Sequence, residues 1–388
     1  MTLQPALLSG DDEERAEAYE ALVLDSLGVR EEALNMRRLA QTYARISDAL
    51  AAQSAVRPTN SQQTTRNVTQ DDISNAIVWA VIYGARTFQI AHRLLIAYPP
   101  KRGSFCELGA GLGPFALRAA LSPEVSDVSL VDIYQPPLES IAKMYSKLQL
   151  RTPRATRADM RSYKPSPTEN LAVPFAFREV GSNPSIIEHW LDTMSAGSRI
   201  YVVEPGTKPI ARELQRARDA LRQKVSIVGP CQHDKDCPRL IGSNDWCHFT
   251  WRVPLGPIGR KIAAIGQRKW HELHASWLIL EKPEPEKPGA KQNRENEGVD
   301  RSRAVVLSIR PGSKECEARL CCDGGEIRLL AGRRNREAYS AISNLEPGDV
   351  VELDSRGTRI HGGGTVLEEP EAIRSVAPIR PIQRLRTQ

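Results

Sequence analysis

The stretch Ser104-Phe-Cys-Glu107-Leu-Gly109-Ala-Gly111-Leu-Gly113-Pro contains the strongest indication of the fold in this sequence. It starts as a short apolar strand, ends that strand in an acid and passes through three alternate glycines into a helical segment. Glycine suits such a turn because the backbone bends sharply and a ligand can approach without a Cβ in its way. The pattern indicates the first strand, loop and helix of a parallel α/β sheet with a ligand at the loop.

A second acid follows at the distance that a nucleotide-binding sheet requires. The stretch Val128-Ser-Leu-Val-Asp132 is another apolar strand, and its carboxylate lies 19 positions (132 minus 113) beyond Gly113. Such a sheet places a carboxylate there to hold ribose hydroxyls. A glycine-rich turn in some other α/β fold is the alternative interpretation. The second acid favours the nucleotide-like ligand.

The form Glu-x-Gly-x-Gly-x-Gly resembles the S-adenosylmethionine pocket of class I methyltransferases. The resemblance implies S-adenosylmethionine as the cofactor, and Asp159 occupies the place where that family commonly has an acid near the adenine. No Asn-Pro-Pro-Tyr type of motif occurs around residues 175–184, so a cofactor pocket is predicted without a recognisable catalytic group. The residues implied to bind the cofactor are Glu107, Gly109, Gly111, Gly113, Asp132 and Asp159.

Three cysteines occupy a segment at 229–249 that has neither a helical nor a strand period. They are Cys231, Cys237 and Cys247, and they are surrounded by Pro, Gly, Asp and Asn. Such polar surroundings would not bury a bare thiol well, so the spacing favours a loop that wraps a metal or cluster with thiolates. Three unrelated free cysteines are the alternative. Three thiolates do not complete a four-ligand site, and the pair Cys321-Cys322 is the obvious source of a fourth.

Length and composition predict a protein with more than one domain. The chain has 388 residues, a net charge of +6, a sequence pI near 8.9 and seven cysteines. Its first residues lack the basic start and apolar stretch of a secretory signal, which predicts reduced thiols and a cytoplasmic location. The longest uncharged apolar run, 73–85, is shorter than the roughly 18 to 20 residues that a membrane helix needs. No membrane association is therefore predicted.

The predicted fold class is α/β, with a class I methyltransferase (Rossmann-like) sheet and additional regions on either side of it. Apolar residues at helical spacing precede the glycine motif, whereas a charged, proline-rich stretch and then short strand patterns follow the cysteine loop. The predicted regions are an N-terminal helical region at 1–98, an S-adenosylmethionine-binding domain at 99–280 that contains the cysteine loop, a linker or insertion at 281–302, and a β-rich extension with a basic tail at 303–388.

Together, the glycine motif, Gly-Pro-Cys231-x-His-Asp-x-x-Cys237-Pro, Asp245-Trp-Cys247-His-Phe and Leu320-Cys321 resemble a known family. They look like the methyltransferase-like assembly factors of the mitochondrial small ribosomal subunit and their bacterial relatives. The resemblance covers about 73–353 and implies a 4Fe–4S cluster together with binding to small-subunit ribosomal RNA. It implies that the cluster ligands are Cys231, Cys237, Cys247 and Cys321. One departure is Cys322, which occupies a position where the family usually has another residue.

The distribution of basic residues agrees with an RNA partner. Clusters of arginine and lysine can neutralise phosphates, although any single cluster is more often a solvated surface. An assembly factor for the small ribosomal subunit, with methyl transfer secondary or absent, is the predicted function. An active RNA methyltransferase with a structural metal site, in which zinc takes the place of the cluster, is the alternative. The clusters are Arg151, Arg154, Arg157, Arg161 and Lys164; Arg333, Arg334 and Arg336; and Arg374, Arg380, Arg384 and Arg386.

Overall fold

The structure is a computed structural model that describes residues 3–51, 70–134, 137–165, 167–242, 245–268, 271–284, 301–323, 325–361 and 364–377. Two sequence predictions lie largely outside these residues: most of the linker at 281–302 and the arginines of the tail beyond 377. Among the described helices, none is long and apolar enough to cross a membrane.

Five of the described helices precede the glycine motif, and the others follow it. A π-helical turn, Trp79–Gly84, separates α4 from α5. In chain order the helices are α1 (Leu3–Ser9), α2 (Asp12–Ser26), α3 (Met36–Ala51), α4 (Gln70–Val78), α5 (Ala85–Ala97), α6 (Pro114–Ala120), α7 (Leu138–Lys147), α8 (Pro184–Thr193), α9 (Lys208–Leu221), α10 (Pro257–Ile265) and α11 (Arg336–Ser343).

The strands form two sheets. They are β1 (Gly103–Leu108), β2 (Val125–Asp132), β3 (Arg154–Arg157), β4 (Asn170–Pro174), β5 (Arg199–Pro205), β6 (Ser226–Gly229), β7 (Phe249–Arg252), β8 (Glu272–Glu281), β9 (Arg301–Pro311), β10 (Glu315–Cys322), β11 (Gly325–Gly332), β12 (Val350–Asp354), β13 (Thr358–His361), β14 (Gly364–Leu367) and β15 (Ile373–Ala377).

The larger sheet confirms the predicted fold class. Its strand order is β3-β2-β1-β4-β5-β8-β6, with β7 paired to β8. The pairs β2–β3 and β4–β5 are parallel, whereas β8 is antiparallel to both β5 and β6. All five residues of β4 are buried, as expected for a strand covered on both faces. This order, with one antiparallel strand near the end, is a Rossmann-like sheet of the class I methyltransferase type.

Packing divides the chain into two compact units. The first comprises Met1–His92, Ser104–Met160 and Arg252–Leu273, and it contains the glycine motif. Its helix α2 starts at a capping box in which Asp11 and Glu14 satisfy each other's backbone amides. Buried Glu20 accepts hydrogen bonds from the amides of Ile258 and Gly259, both at 2.7 Å, and so caps α10 within the same unit.

The second unit comprises Arg93–Gly103, Arg161–Trp251 and His274–Gln388, and it contains the cysteine loop and the second sheet. That sheet has the order β13-β14-β11-β10-β9-β12-β15. The β-rich extension expected from the sequence is present, with β9, β10, β11 and β12 as its first four strands. The side chains of β10 alternate, so that Cys316, Ala318, Leu320 and Cys322 face the apolar core of this sheet.

Candidate functional site

The glycine loop after β1 has a left-handed backbone at all three of its alternate glycines. Gly109, Gly111 and Gly113 have φ of 67°, 52° and 67°. A Cβ at Gly113 would lie 2.8 Å from a methyl carbon of Leu130, so that position needs glycine for packing. A Cβ at Gly111 would meet nothing within 4 Å, so Gly111 faces open space. The loop therefore has one packed glycine and one exposed to an approaching ligand.

The carboxylate of Asp132 stabilises this loop. Its Oδ2 accepts a hydrogen bond from the Gly111 amide at 2.8 Å, and its Oδ1 accepts one from the Tyr134 amide at 2.9 Å. Half-buried Asp159 follows β3, where the Ala158 amide donates to the Asp132 carbonyl at 2.8 Å. The structure thus brings the glycine loop and the segments carrying both predicted acids together at one end of β1, β2 and β3.

Glu107 lies beneath the loop, with none of its surface exposed. Its Oε2 accepts a hydrogen bond from the Ala116 amide at 2.6 Å, in the first turn of α6. Burial raises the pKa of Glu107 to about 8; the amides of Ala116 and Phe115 oppose that rise, and Asp132 adds to it. Its position suits a residue that supports the loop and the start of α6.

The raised pKa of Glu107 predicts a pH-dependent stability. The folded state holds the Glu107 proton to about pH 8, whereas an ordinary glutamate releases it near pH 4.5. The contribution of this proton to the free energy of unfolding is therefore full below pH 4.5 and is lost as pH rises towards 8. The loss amounts to roughly 1.4 kcal/mol per pH unit at most. Glu107→Gln keeps a hydrogen-bond acceptor without a titrating proton, so its unfolding free energy should fall less between pH 5 and pH 8.

Urea unfolding of the wild type and Glu107→Gln across that pH range measures this difference. Glu139→Gln is the matched control, since Glu139 is exposed on α7 and pairs with Lys143. Equal pH slopes for the wild type and Glu107→Gln would show that Glu107 is already ionised in the folded state.

The cysteine site takes its geometry from the alternation of β10. The Cys322 thiol faces the core and donates to the Gly325 carbonyl at 3.4 Å. Cys321 lies on the opposite face, where its Sγ is 3.8 Å from Nε2 of His233 in the cysteine loop. The two adjacent cysteines therefore have different environments, and Cys321 is the one that faces the loop.

Several thiols lie close enough in this region for their charges to raise the pKa of a neighbouring thiol. Burial raises the pKa of Cys247 well above its ordinary value, and Cys231, Cys237 and Cys321 raise it further. Burial likewise raises the pKa of Cys321 to about 12, with added contributions from Cys231, Cys237 and the adjacent Cys322. These thiols would resist ionisation together without a compensating positive charge. Among the described residues, no group of three or more His, Cys, Asp or Glu side chains is arranged to hold a metal ion.

Side chains of α9 hold the cysteine loop by its backbone. The guanidinium of Arg218, only 2% exposed, donates to the carbonyls of His233 and Lys235 and pairs with Asp219 at 2.7 Å. Asp219 in turn accepts from the Cys237 amide at 3.1 Å. Arg212 donates to the carbonyls of Gly242 and Asp245, both at 2.7 Å.

Sequence reasoning missed these supporting residues. The sequence does contain a signal for them, since a helix rich in arginine comes shortly before a loop rich in proline, glycine and aspartate. Such a loop has many carbonyls without strand or helix partners, and arginine side chains can donate hydrogen bonds to them. Arg239 adds a link within the second unit, since it pairs with Asp245 at 2.6 Å and with Glu326 of β11 at 2.8 Å.

The structure separates the basic clusters into paired and unpaired groups. Arg151 and Arg154 both pair with Asp127, at 3.4 and 2.7 Å. Arg374 pairs with Glu352. By contrast, the arginines between β11 and the first residue of α11 are exposed and form no ion pair among the described residues; they are Arg333, Arg334 and Arg336.

The turn between β9 and β10 adds charge to this second group. The Arg333 amide donates to the Lys314 carbonyl at 2.8 Å, and its guanidinium donates to the Ser313 carbonyl at 3.3 Å. Exposed Lys314 therefore lies beside Arg333, a neighbour that sequence reasoning did not include because the two residues are on separate turns. We call Lys314, Arg333, Arg334 and Arg336 the basic edge.

Comparison with known proteins gives one family match. Residues 168–352, just under half of the chain, match the sequence model of a family described as "Mitochondrial small ribosomal subunit Rsm22". This segment, which includes the cysteine loop and most of the second sheet, is similar to that family. No curated protein matches the chain.

Solved structures give distant matches to methyltransferases. The N-methyltransferase NodS of Bradyrhizobium japonicum WM9 has 10% identity over 51% of this chain and 95% of its own, with a TM-score of 0.33. A putative RNA methyltransferase from Pyrococcus horikoshii has 10% identity over 51% and 84%, with a TM-score of 0.32. An rRNA methylase from Streptococcus thermophilus has 13% identity over 50% and 94%, with a TM-score of 0.31. The strand order of the chain itself, rather than these distant likenesses, defines its fold.

Proposed function

We propose that this chain is an S-adenosylmethionine-binding, methyltransferase-like factor that binds the small ribosomal subunit through its RNA. We further propose that Cys231, Cys237, Cys247 and Cys321 hold a 4Fe–4S cluster. The observation that carries the proposal is the position of Cys321 on the face of β10 that meets the cysteine loop, where its Sγ lies 3.8 Å from Nε2 of His233, within the segment similar to a small-subunit family. The description of that family is mitochondrial, and the cytoplasmic location expected from the sequence stays a prediction.

The cofactor part rests on the glycine loop. Gly111 leaves open space where a Cβ would stand, and the Asp132 carboxylate lies directly beside it. A backbone that a ligand can approach, next to a carboxylate able to accept ribose hydroxyls, suits an adenosine-containing cofactor. Glu107 would act indirectly, by fixing α6 and the loop.

Two substitutions test the cofactor loop. Gly111→Val places a branched side chain in the open space at a φ of 52° that valine rarely adopts, and Asp132→Ala removes a charged acceptor. Loss of hydrogen bonds to a charged group costs about 1.5 to 3 kcal/mol, so the affinity for S-adenosylmethionine should fall by about tenfold or more. Isothermal titration calorimetry measures it, with Glu139→Gln as the control. Absence of binding by the wild type would remove the cofactor from the proposal.

The cluster part rests on the chemistry of the four cysteines. Thiolates are the protein ligands of 4Fe–4S clusters, and each cysteine binds a different iron, so the sulfurs lie farther apart than around one ion. Cys321 faces the loop, whereas Cys322 is engaged in the core, which supports Cys321 as the fourth ligand. When bound, the cluster would cross-link the cysteine loop to β10 and add the positive charge that the thiolates require.

The RNA part rests on the basic edge and on the connectivity of the second sheet. Strands β9, β10 and β11 form an antiparallel meander, α11 follows, β12 pairs back with β9, and β14 pairs in parallel with β11. This connectivity is shared with the OB-fold, which often binds oligonucleotides; by itself it is a fold-level analogy. The unpaired charges at one end of this sheet favour a phosphate backbone as the partner.

Methyl transfer to RNA is the second candidate function, and the preserved geometry of the glycine loop favours it. The two candidates differ in one measurement. Mapping of ribosomal RNA methylation in a deletion strain should show no missing methyl group if the chain acts by binding alone. A methyl group that is restored by the wild type but not by Gly111→Val would establish the methyltransferase.

Ultraviolet crosslinking in living cells tests the proposed partner. The RNA crosslinked to the tagged chain should map to small-subunit ribosomal RNA. Crosslinks confined to other RNA classes would contradict the proposal.

A further inference from the structure

A row of planar side chains lies at the carboxyl end of β5, on the segment that leads into β7. The rings of Trp246 and His248 stack with their centroids 5.0 Å apart and an angle of 19° between planes. The ring of His274, at the start of β8, lies 6.0 Å from that of His248 at an angle of 55°. His274 is exposed, and the other two are half-buried.

This row is held by contacts around Gly206. The Trp246 Nε1 donates to the Gly206 carbonyl at 2.9 Å, and the Gly206 amide donates to the His274 carbonyl at 2.8 Å. A Cβ at residue 206 would lie 2.8 Å from the carbonyl carbon of His274 and 3.1 Å from the Cβ of His248, so only glycine fits. Thr250 hydrogen-bonds Nδ1 of His274 at 2.7 Å.

The row differs from ordinary core packing. Phe249 and Trp251, on one face of β7, are buried in the core. The ring centroid of Phe249 lies 5.2 Å from that of Trp277. Thr250, on the other face of β7, and His248, directly before the strand, stay partly exposed. Planar rings fixed in advance on a solvent-accessible face have the chemistry that stacks unpaired nucleobases.

We infer that Trp246, His248 and His274 form a stacking platform for an unpaired base of RNA. The inference rests on the proposed RNA binding and specifies a second contact, separate from the phosphate contacts of the basic edge. Cys247, the proposed cluster ligand, lies between Trp246 and His248 in the chain. Since both rings flank that residue, the cluster would fix their position, which connects the metal site to RNA recognition.

The test uses the full-length chain purified without oxygen and a fluorescein-labelled single-stranded RNA of about 12 nucleotides. His274→Ala should weaken binding by about tenfold or more, the loss expected for one stacked base. His274→Phe should restore most of the affinity because it returns a planar ring. The matched control is His271→Ala, an exposed histidine three positions earlier, which should bind as the wild type does.

The salt dependence separates stacking from phosphate contacts. His274→Ala should leave the slope of log affinity against log salt unchanged, whereas Arg333→Ala should make it shallower. Unchanged visible absorbance of His274→Ala would show that the weaker binding does not arise through loss of a cluster. Adenosine monophosphate should bind far more weakly than the RNA, and equal affinity would identify a mononucleotide site instead.

The outcomes distinguish this inference from the proposed function. Wild-type affinity in His274→Ala, together with weakened binding in Arg333→Ala, would overturn the platform and leave RNA binding intact. No binding of any single-stranded RNA by the wild type would overturn both.

Discussion

Cys321→Ser is expected to abolish the visible absorbance of the anaerobically purified protein and to release its iron and sulfide. Its Sγ faces the cysteine loop, where it lies 3.8 Å from Nε2 of His233. A 4Fe–4S cluster with one ligand removed from a four-cysteine set is unstable to loss. Because the cluster would cross-link the loop to β10, the same variant should also unfold at lower denaturant concentration.

Cys322→Ser is the matched control for that variant. It is the adjacent residue with the same chemical change, but its thiol faces the core and donates to the Gly325 carbonyl. It should keep the cluster and show only the modest stability loss of a polar atom placed in a core, roughly 1 to 3 kcal/mol. Full retention of the cluster in Cys321→Ser, with loss in Cys322→Ser, would reverse the assignment. A colourless protein that contains one zinc ion would show that the site holds zinc and no cluster.

When Lys314, Arg333 and Arg334 are all replaced by alanine, the affinity for RNA at low salt is expected to fall by a factor of roughly ten to a thousand. These side chains are exposed, lie on two adjoining turns and have no ion-pair partner among the described residues. Each phosphate contact to a single strand contributes about 0.7 to the slope of log affinity against log salt. Three lost contacts should therefore make that slope about 2 units shallower.

Arg151→Ala combined with Arg154→Ala is the control for the basic edge. Both residues are exposed arginines, yet they already share the Asp127 carboxylate, so their positive charge is partly neutralised. Their removal should change the affinity and the salt slope little. An effect as large as that of the basic edge would show that binding depends on total charge rather than on this surface.

Much of the fold could be predicted from the sequence because its signals are local. The glycines at 109, 111 and 113 predict a sharply turning loop that a ligand can approach, and in the structure all three have a left-handed backbone. The second sheet was anticipated from short apolar runs between turn residues. Its helix α11 was not, because the charged residues Arg336 and Glu337 conceal the few buried positions, Ala338 and Ile342.

The candidate sites could be predicted only in part, since their supporting contacts join distant positions. The adjacent cysteines look alike in sequence, and only the alternation of β10 gives them different surroundings. Lys314 and Arg333 are separated by the whole of β10 and β11. The role of Arg218 depends on carbonyls of a loop that follows it in the chain, and no local pattern reports such a contact.

Association with the small ribosomal subunit can be measured by sedimentation of the tagged chain, prepared without oxygen, with ribosomal particles across a salt series. The proposed function predicts that the chain travels with small-subunit particles at low salt, leaves them steeply as salt rises and fails to join them in Cys321→Ser. A wild-type chain that is absent from every small-subunit particle at low salt would contradict it.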